Sequence, residues 1–346
     1  RCVYHGWKFD TTGQCVDMPN EPAESNFKHK IHATAYPMRE RHGVLWAYMG
    51  SRSTPPELPK FEWNLLPADQ VAISVRLQEC NWVQAIEGGI DSSHVGFLHK
   101  QFGDERGERG LGTAYAARDP HPRFEVAETE FGSLIGARRH AEADSYYWRI
   151  TPFLMPFYTI IPPFGRNGSM GGHAWVPMDD ETTMTWSIHW HPQRPLTERE
   201  AAARLQGGPA ISGVLPPTSE PGGHWRPVSN PRNDYNLNYD LQRTTLFCGI
   251  VNARIQDQAM QESMGKIYDR TKEHLGSSDT AIIHARRLWL NAARQWQDGR
   301  VTPRGVDVPD AYYLRSLSVV LPHSTVWTDA AHELAPVVEG RLLEAP

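Results

Sequence analysis

The sequence predicts a small β domain followed by a large α+β domain. Its 346 residues exceed the length of one average domain, so two domains are expected. Residues 51–59 (SRSTPPELP), rich in proline and serine, are the most natural linker. Beyond residue 120, several short predicted strands follow one another at a spacing typical of an antiparallel sheet rather than of alternating strand–helix units. We therefore expect the domains to cover residues 1–55 and 56–346.

The first domain is expected to consist of short strands and turns. Residues 10–13 (DTTG) carry a turn signal between two segments of alternating apolar residues. Residues 42–50 (HGVLWAYMG) have the composition of a strand that ends in glycine. This part of the chain is therefore predicted to be all-β.

The second domain is expected to combine an antiparallel sheet with helices. Residues 71–78 alternate like a strand, and residues 81–94 follow a helical pattern with Asn81 and Gln84 as a capping box. Long amphipathic helices are predicted at 256–275 and 279–296. Six further strands are predicted at 121–128, 133–138, 145–151, 155–161, 173–178 and 182–191.

Composition and charge exclude several classes of partner. The net charge is −5 and no run of lysine and arginine reaches five residues, which argues against nucleic acids and anionic membrane surfaces. The longest nearly apolar stretch, at 153–164, is too short to span a bilayer and is interrupted by prolines. The four cysteines are too few and too scattered for a disulfide framework. We therefore expect a protein of a reducing cytoplasm with no membrane or nucleic-acid partner.

Cys2 and His5 form a Cys-x-x-His pair at the start of the chain, in RCVYHGWKFD. A lone pair of this kind is compatible with chance or with a structural zinc site, which needs four ligands. The nearby cysteine and histidines do not form a second tight pair. A Rieske [2Fe–2S] centre instead takes one cysteine and one histidine from each of two loops. The missing Cys-x-His pair is then expected upstream of the first residue.

A second candidate site lies in NWVQAIEGGIDSSHVGFLHK. Glu87, Asp91 and His94 are spaced i, i+4, i+7, which predicts two carboxylates and an imidazole on one helix face. His99 would point away on a continuous helix, but Gly96 permits a break that turns His99 toward His94. Histidines in an apolar segment are also common as hydrogen-bonded core residues. Two imidazoles near one point, with carboxylates nearby, nevertheless indicate a metal site.

Asp257 is the carboxylate expected to complete this set. In the predicted helix 256–275 it falls within an apolar stripe, where a carboxylate is costly unless it is paired or bound to a cation. Capping of the helix N-terminus is the alternative. The apolar stripe is predicted to contain Met260, Met264, Ile267, Thr271 and Leu275. The opposite, solvated face is predicted to contain Glu262, Lys266, Asp269 and Glu273. Two histidines and one aspartate form the facial triad of iron oxygenases. Zinc fits the same ligands, but the iron–sulfur half-site favours Fe(II).

These motifs resemble those of a known family. CVYHGWKFD…GQCVDMPNEP is similar to the second half of a Rieske motif. NWVQAIEGGIDSSHVGFLH resembles the iron-binding segment of Rieske non-haem iron aromatic-ring oxygenases. The segments at 147–162, 240–250 and 256–279 resemble the large (alpha) subunits of the phthalate 4,5-dioxygenase-like group. The resemblance therefore covers nearly the whole chain.

The resemblance implies two iron sites. Cys2 and His5 match two of the four ligands of the [2Fe–2S] cluster, so the chain as written holds an incomplete ligand set for it. His94, His99 and Asp257 match the ligands of the mononuclear Fe(II). The implied fold is a partial Rieske domain followed by a helix-grip (START/Bet v 1-like) catalytic domain with an antiparallel sheet.

The resemblance also implies an assembly. Asp91 matches the carboxylate that, in the family, bridges a cluster histidine of one subunit to an iron histidine of its neighbour. That role implies a homotrimer or a multiple of one. Electrons would come from NADH through a separate flavin/iron–sulfur reductase.

The implied reaction is hydroxylation of an aromatic ring with O₂, with a phthalate-like aromatic carboxylate as the expected substrate. Arginine suits a carboxylate because its planar guanidinium binds both oxygens. Arg149, Arg118 and Arg123 are candidates, although each is equally compatible with a solvated strand face. Ser92, beside Asp91, is expected to donate a hydrogen bond either to the substrate or to the helix backbone.

Three alternatives remain open. Monooxygenation with O-demethylation of an aryl ether would use the same residues. A zinc hydrolase would use His94, His99 and Asp257 but would leave CVYHGW without a role. A metal-free module that binds apolar ligands has no reason to bury the charge of Asp257.

Overall fold

The chain divides into two compact units, Arg1–Glu57 and Leu58–Pro346. The structure is a computed structural model that describes residues 1–22, 24–103, 110–163, 168–204, 212–220 and 222–341. The boundary between the units falls inside the proline- and serine-rich segment. In the described part of the chain, no helix has both the length and the apolar character needed to cross a membrane.

The first unit contains short antiparallel strands that pair as two hairpins. They are β1 (Lys8–Phe9) with β2 (Cys15–Asp17), and β3 (Met38–Arg41) with β4 (Val44–Ala47). The turn between β1 and β2 is the predicted one, because the Asp10 carboxylate accepts hydrogen bonds from the backbone N–H groups of Thr12 and Gln14. β4 lies within the strand predicted at 42–50, whereas β3 was not predicted.

The second unit is built on one antiparallel sheet, in which the described residues form eight strands. The strands are β5 (Val71–Gln78), β6 (Arg123–Thr129), β7 (Gly132–His140), β8 (Ser145–Leu154), β9 (Tyr158–Ile161), β10 (Met170–Pro177), β11 (Thr183–Trp190) and β12 (Leu317–Pro322). Seven of them lie in the order β5-β11-β10-β9-β8-β7-β6, and β12 pairs with β8. The predicted α+β class with its antiparallel sheet is confirmed, and β5 has its predicted bounds.

Helices pack against this sheet and close the core. The α-helices of the described residues are α1 (Trp82–Ile90), α2 (Leu111–Arg118), α3 (Glu198–Arg204), α4 (Tyr239–Thr244), α5 (Ala253–Ser263), α6 (Thr280–Gly299) and α7 (Trp327–Leu334). Ile86 and Ile90 of α1, Ala285 of α6, Phe153 of β8 and Trp175 of β10 belong to one buried cluster. This packing fixes the end of α1 over the sheet, where the candidate site begins.

Helix α1 is shorter than predicted, which corrects the proposed helix face. It ends at Ile90, and Asp91 is already extended, with φ −79° and ψ 128°. Asp91 and His94 therefore do not share a helix face with Glu87, which pairs with Arg270 and Arg286 instead.

The start of α1 is also built differently from the prediction. The Asn81 side chain caps the helix by accepting a hydrogen bond from the N–H of Val83. Gln84 does not complete a capping box, because its amide donates to the carbonyl oxygens of Gln261 and Gly265. Gln84 thereby ties α1 to α5, which positions the two helices that flank the candidate site.

The helix predicted at 256–275 is wrong in both bounds, since α5 begins at Ala253 and ends at Ser263. Gly265 follows with φ +91°, a left-handed conformation that ends helices and favours glycine. The apolar stripe predicted beyond this point therefore does not form. Four of its members are exposed: Met260, Met264, Ile267 and Leu275.

Glu262 was predicted on the solvated face but is buried. It accepts hydrogen bonds from the Gln258 amide, the Tyr235 hydroxyl and the N–H of Glu79. Burial nevertheless raises the pKa of this carboxyl above its ordinary value. The buried face of α5 is thus largely polar, a pattern that apolar periodicity does not reveal.

Candidate metal centre and substrate cavity

His94, His99 and Asp257 converge at one point of the second unit. His94 opens a 3-10 helix (His94–Gly96) shortly after α1, and Asp257 lies in the second turn of α5. The Nε2 atoms of His94 and His99 lie 3.5 Å and 3.0 Å from the same Oδ1 atom of Asp257. One ligand atom from each of the three residues lies within 4.8 Å of the others. Among the histidine, cysteine and acidic side chains of the described residues, these three form the group that could hold a metal ion.

Hydrogen bonds orient both imidazoles toward that point. The His94 Nδ1 atom lies 2.9 Å from the Asp91 carboxylate, which can only accept, so Nδ1 carries the proton. The His99 Nδ1 atom lies 2.6 Å from the Gln256 side-chain oxygen, while the Gln256 amide nitrogen donates to the carbonyl oxygen of Ile250. Both histidines therefore present the Nε2 lone pair, as metal-ligating histidines do when an outer partner holds the other nitrogen.

The electrostatics of the three residues fit a divalent cation. Burial opposes the charge of Asp257, but the charge and hydrogen bond of His99, and then the charge of His94, hold its pKa below the ordinary value. Burial also opposes a proton on His94, but the hydrogen bond with Asp91 and the charges of Asp257 and Asp91 raise its pKa overall. Two imidazoles facing an ionised carboxylate form the 2-His-1-carboxylate ligand set of non-haem iron sites.

A tight turn after α1 places His94. The Asp91 carboxylate accepts hydrogen bonds from the backbone N–H groups of Ser93 at 2.7 Å and His94 at 2.9 Å. Arg139 of β7 donates to the carbonyl oxygen of Ser92 at 2.7 Å, which ties the turn to the sheet. Asp91 therefore acts on His94 twice, through its backbone and through its ring.

A cavity of about 600 Å³ opens beside the three residues, between the sheet, the end of α1 and the start of α5. Two predicted substrate residues, Ser92 and Arg149, line it. The other two lie elsewhere: the Arg118 guanidinium sits over the Tyr115 ring of α2 at 4.8 Å, and Arg123 is exposed on β6. The structure thus brings two of the four predicted substrate residues to the candidate metal centre.

Arg149 and Ser92 both offer hydrogen-bond donors at the cavity wall. Arg149 is buried on β8, and its Nη2 atom donates to the carbonyl oxygen of Pro162 at 3.0 Å. Burial lowers its pKa. The Ser92 hydroxyl is buried and has no hydrogen-bond partner among the described residues. A buried hydroxyl without a partner is unfavourable, so a ligand that accepts its proton would stabilise it.

The cavity also contains polar residues that the sequence analysis missed. They include Arg76 of β5, His173 of β10, His189 of β11, and Arg254 and Gln256 of α5. The sequence does carry a signal for Arg76, because Ser74, Arg76 and Gln78 occupy alternate positions along one face of β5. That face would ordinarily be assigned to solvent, but all three residues are buried.

Cys2 and His5 lie in one turn of the first unit. The N–H of Cys2 donates to the carbonyl oxygen of Trp7, and the N–H of Gly6 donates to that of Cys2. Gly6 has φ +76°, and a Cβ atom there would lie 2.8 Å from a side-chain carbon of Pro19, so the turn requires glycine. Both candidate ligands are exposed, and backbone N–H groups of Tyr4 and His5 lower the pKa of the Cys2 thiol. A lowered pKa favours the thiolate, which is the form that binds metals.

Replacing Gln256 with leucine is expected to weaken metal binding roughly 10- to 100-fold, the usual effect of losing a partner that holds a metal-ligating histidine. Leucine cannot accept the Nδ1–H of His99, so the ring loses its fixed orientation. Metal affinity should be measured by competition with a chelator. Gln297→Leu is the control, because Gln297 is exposed on α6. Equal affinities in the two variants would contradict this role.

Two family models match the chain. Residues 1–36 match the model described as "Rieske [2Fe-2S] domain", and residues 47–340 match "LigXa C-terminal domain like". The second match alone covers most of the chain.

Three similar proteins of known activity are oxygenase subunits. The 3-chlorobenzoate-3,4-dioxygenase oxygenase subunit of Comamonas testosteroni is 37% identical, over 95% of this chain and 78% of its own length. The phthalate 4,5-dioxygenase oxygenase subunit of Pseudomonas putida is 35% identical, over 86% and 68%. The 5,5'-dehydrodivanillate O-demethylase oxygenase subunit of a Sphingobium species is 29% identical, over 96% and 69%.

Solved structures share the fold at low sequence identity. Caffeine-bound NdmA of Pseudomonas putida CBB5 has a TM-score of 0.53 and 16% identity, over 94% of this chain and 78% of that one. Dicamba-bound dicamba monooxygenase has a TM-score of 0.51 and 15% identity, over 85% and 80%.

The predicted family, enzyme class and cofactors are confirmed by these matches. The family uses a Rieske [2Fe–2S] cluster and a mononuclear iron, and a separate reductase supplies its electrons. The relatives named above are oxidoreductases that act on small aromatic substrates. The chain belongs to the Rieske non-haem iron aromatic-ring-hydroxylating oxygenases, as an oxygenase subunit of the phthalate 4,5-dioxygenase-like group.

Proposed function

We propose that this chain hydroxylates the ring of an aromatic carboxylic acid at a mononuclear Fe(II) held by His94, His99 and Asp257. The convergence of two Nε2 atoms on the Asp257 carboxylate, beside a cavity lined by Arg149, carries the proposal. Two of the similar proteins are named for 3-chlorobenzoate and phthalate, which are both aromatic carboxylates. This supports the same chemical class of substrate here.

The cavity residues would bind and orient the substrate. The Arg149 guanidinium would bind the substrate carboxylate, and the Ser92 hydroxyl would donate a hydrogen bond to it. Trp175, Met170 and Ile161 line the same cavity and would contact the ring. An Fe(II) ion with this ligand set supplies the activation of O₂, since the set leaves coordination positions open. Arg149 and Ser92 would then decide which ring carbon faces the iron.

Cys2, His5 and Asp91 would deliver the electrons. Cys2 and His5 would be two of the four ligands of the Rieske cluster, with the thiol pKa already lowered by backbone N–H groups. Asp91 contacts His94 directly and keeps 18% of its side chain exposed, so a group from a neighbouring subunit could reach it. A bridge of this kind requires a homo-oligomer, and the family resemblance makes a homotrimer or a multiple of one our proposal. An NADH-dependent flavin/iron–sulfur reductase would be the electron donor, in the bacterial cytoplasm.

O-demethylation of an aryl ether is the second candidate function. The 29% identical relative is named as an O-demethylase oxygenase subunit, and its match covers nearly the whole chain. The same iron ligands would serve both reactions, and only the group held next to the iron would differ.

The complete oxygenase component, purified without oxygen, should contain about three irons and about two acid-labile sulfides per chain, as these ligand sets require. With reductase, NADH and ¹⁸O₂, benzoate or phthalate should yield a ring-hydroxylated product that carries ¹⁸O. Formaldehyde release from methoxybenzoate without ring hydroxylation would identify a demethylase instead. About one zinc and no sulfide would overturn the oxygenase assignment of this site and favour a hydrolase.

A further inference from the structure

We infer that Arg76, His173 and Arg254 form a second anion-binding subsite in the cavity, separate from Arg149. The substrate would then carry two acidic groups at separate positions of its ring. The inference rests on the proposed function, because it concerns the same cavity and the same class of substrate.

Arg76 is held so that part of its guanidinium remains available. Its Nη1 atom donates to the Ser187 hydroxyl at 2.9 Å, and its Nε atom donates to the Gln258 side-chain oxygen at 3.1 Å. Within the described residues, its Nη2 atom makes no hydrogen bond. Arg76 is buried yet lines the cavity, so its fixed orientation favours a ligand that accepts hydrogen bonds.

His173 adds a second donor beside Arg76. Its Nδ1 atom lies 3.2 Å from the Ser187 hydroxyl. That hydroxyl accepts from Arg76 and can donate its own hydrogen to Nδ1, a pairing in which the proton of the neutral ring is on Nε2. The Nε2 atom is buried, and it has no hydrogen-bond partner in the described part of the chain. Burial, followed by the charges of Arg254 and Arg76, lowers the pKa of His173 well below its ordinary value, so the ring is neutral.

The charges of the cavity also favour an anion. Its described lining includes three arginines, Arg76, Arg149 and Arg254, but only two acidic residues, Asp91 and Asp257. Burial, and then the charge of Arg254, lowers the pKa of Arg76 to about 10. Asp257, and then Glu262, partly offset this repulsion, and a bound metal cation would take up the charge of Asp257. Arg76 is buried and Arg254 is partly buried, so an anion bound beside them would reduce the repulsion between their charges.

This subsite is separate from Arg149. Arg76 lies on β5 and Arg149 on β8, with β11, β10 and β9 between them, which is about 19 Å along the sheet at ordinary strand spacing. Both residues line the same cavity, so it offers an anion two separate binding positions. Carboxylates suit both, because guanidinium groups bind them with two hydrogen bonds.

Arg254→Gln is the test, since Arg254 is only partly buried near the start of α5. Binding of benzoate, isophthalate, terephthalate and neutral benzamide to the iron-loaded oxygenase should be measured by calorimetry without oxygen. The wild type is expected to bind one of the dicarboxylates about 10-fold or more tighter than benzoate, the usual effect of a charged hydrogen bond. Arg254→Gln should remove this preference and change benzoate binding less than about 3-fold, whereas Arg254→Lys should keep most of it.

Arg243→Gln is the matched control, because Arg243 is exposed on α4 and, within the described part of the chain, its ion pair is with Asp240. Equal losses for benzoate and dicarboxylates in Arg254→Gln would mean a single carboxylate site and would overturn the inference. The inference would also be overturned if Arg254→Gln lost affinity equally for all four ligands, benzamide included, or lost no affinity for any of them. The proposed function fails separately, if the wild type lacks iron or binds no aromatic acid. A wild type that binds benzoate without preferring a dicarboxylate overturns only the second subsite.

Discussion

Asp257→Asn is expected to remove the mononuclear iron and to abolish most of the ring hydroxylation. The loss of activity should exceed the roughly 10- to 100-fold effect of removing a residue that only holds a metal ligand in place. The Asp257 carboxylate is the anionic group that faces the Nε2 atoms of both His94 and His99. Asparagine has a similar shape but no charge, so a divalent cation would lose its only anionic ligand from this set. The fold should persist, because the substitution changes no apolar contact.

Iron and acid-labile sulfide should be measured together, because sulfide reports the cluster and the remaining iron reports the mononuclear site. Asp269→Asn is the control. Asp269 lies further along the same segment, is half-exposed, and caps a 3-10 helix through Thr271. The control should keep its iron and its activity. Full mononuclear iron and full activity in Asp257→Asn would show that another residue supplies the anionic ligand.

Local patterns were enough to predict most of the sheet. Strand β5 was anticipated because it alternates, and β6 to β11 were anticipated as short segments that follow one another at close spacing. Strand β12 (LSVVLP) was not, because it pairs with β8 from far along the chain and its apolar run has no diagnostic period. Helices α2 and α7 were also missed, since neither is long enough to show a clear helical repeat.

The candidate site was predicted for partly wrong reasons. His94 was assigned to a helix face, but α1 ends at Ile90 and an aspartate-capped turn directs the ring. Asp257 was assigned to an apolar stripe that Gly265 interrupts. Spacing and periodicity selected these residues first and the sequence resemblance matched them, but the helix face and the stripe on which that selection relied do not form. The cavity arginines Arg76 and Arg254 were selected neither by the resemblance nor by periodicity. For Arg76 the reason is that a buried polar strand face cannot be distinguished from a solvated one in a single sequence.

Asp91→Asn is expected to reduce NADH-driven turnover by roughly 10- to 100-fold or more while the mononuclear iron stays bound. The Asp91 carboxylate accepts from the His94 ring and from two backbone N–H groups. Asparagine can keep only one of the two backbone bonds, because the N–H groups of Ser93 and His94 donate to different carboxylate oxygens. Its amide nitrogen cannot accept the Nδ1–H of His94, so the charged contact to the iron ligand would be lost while one backbone bond still holds the turn.

The matched control is Asp179→Asn, because Asp179 caps an exposed turn in the same way, through the N–H groups of Glu181 and Thr182. Reduction of the cluster by the reductase should be followed by its absorbance, and product should be measured per reduced cluster. We expect normal cluster reduction and slow product formation in Asp91→Asn only. Loss of iron in proportion to activity would mean that Asp91 acts only by orienting His94. Loss of activity with the iron in place would assign Asp91 to the electron path, because orientation and ligation would then both be intact.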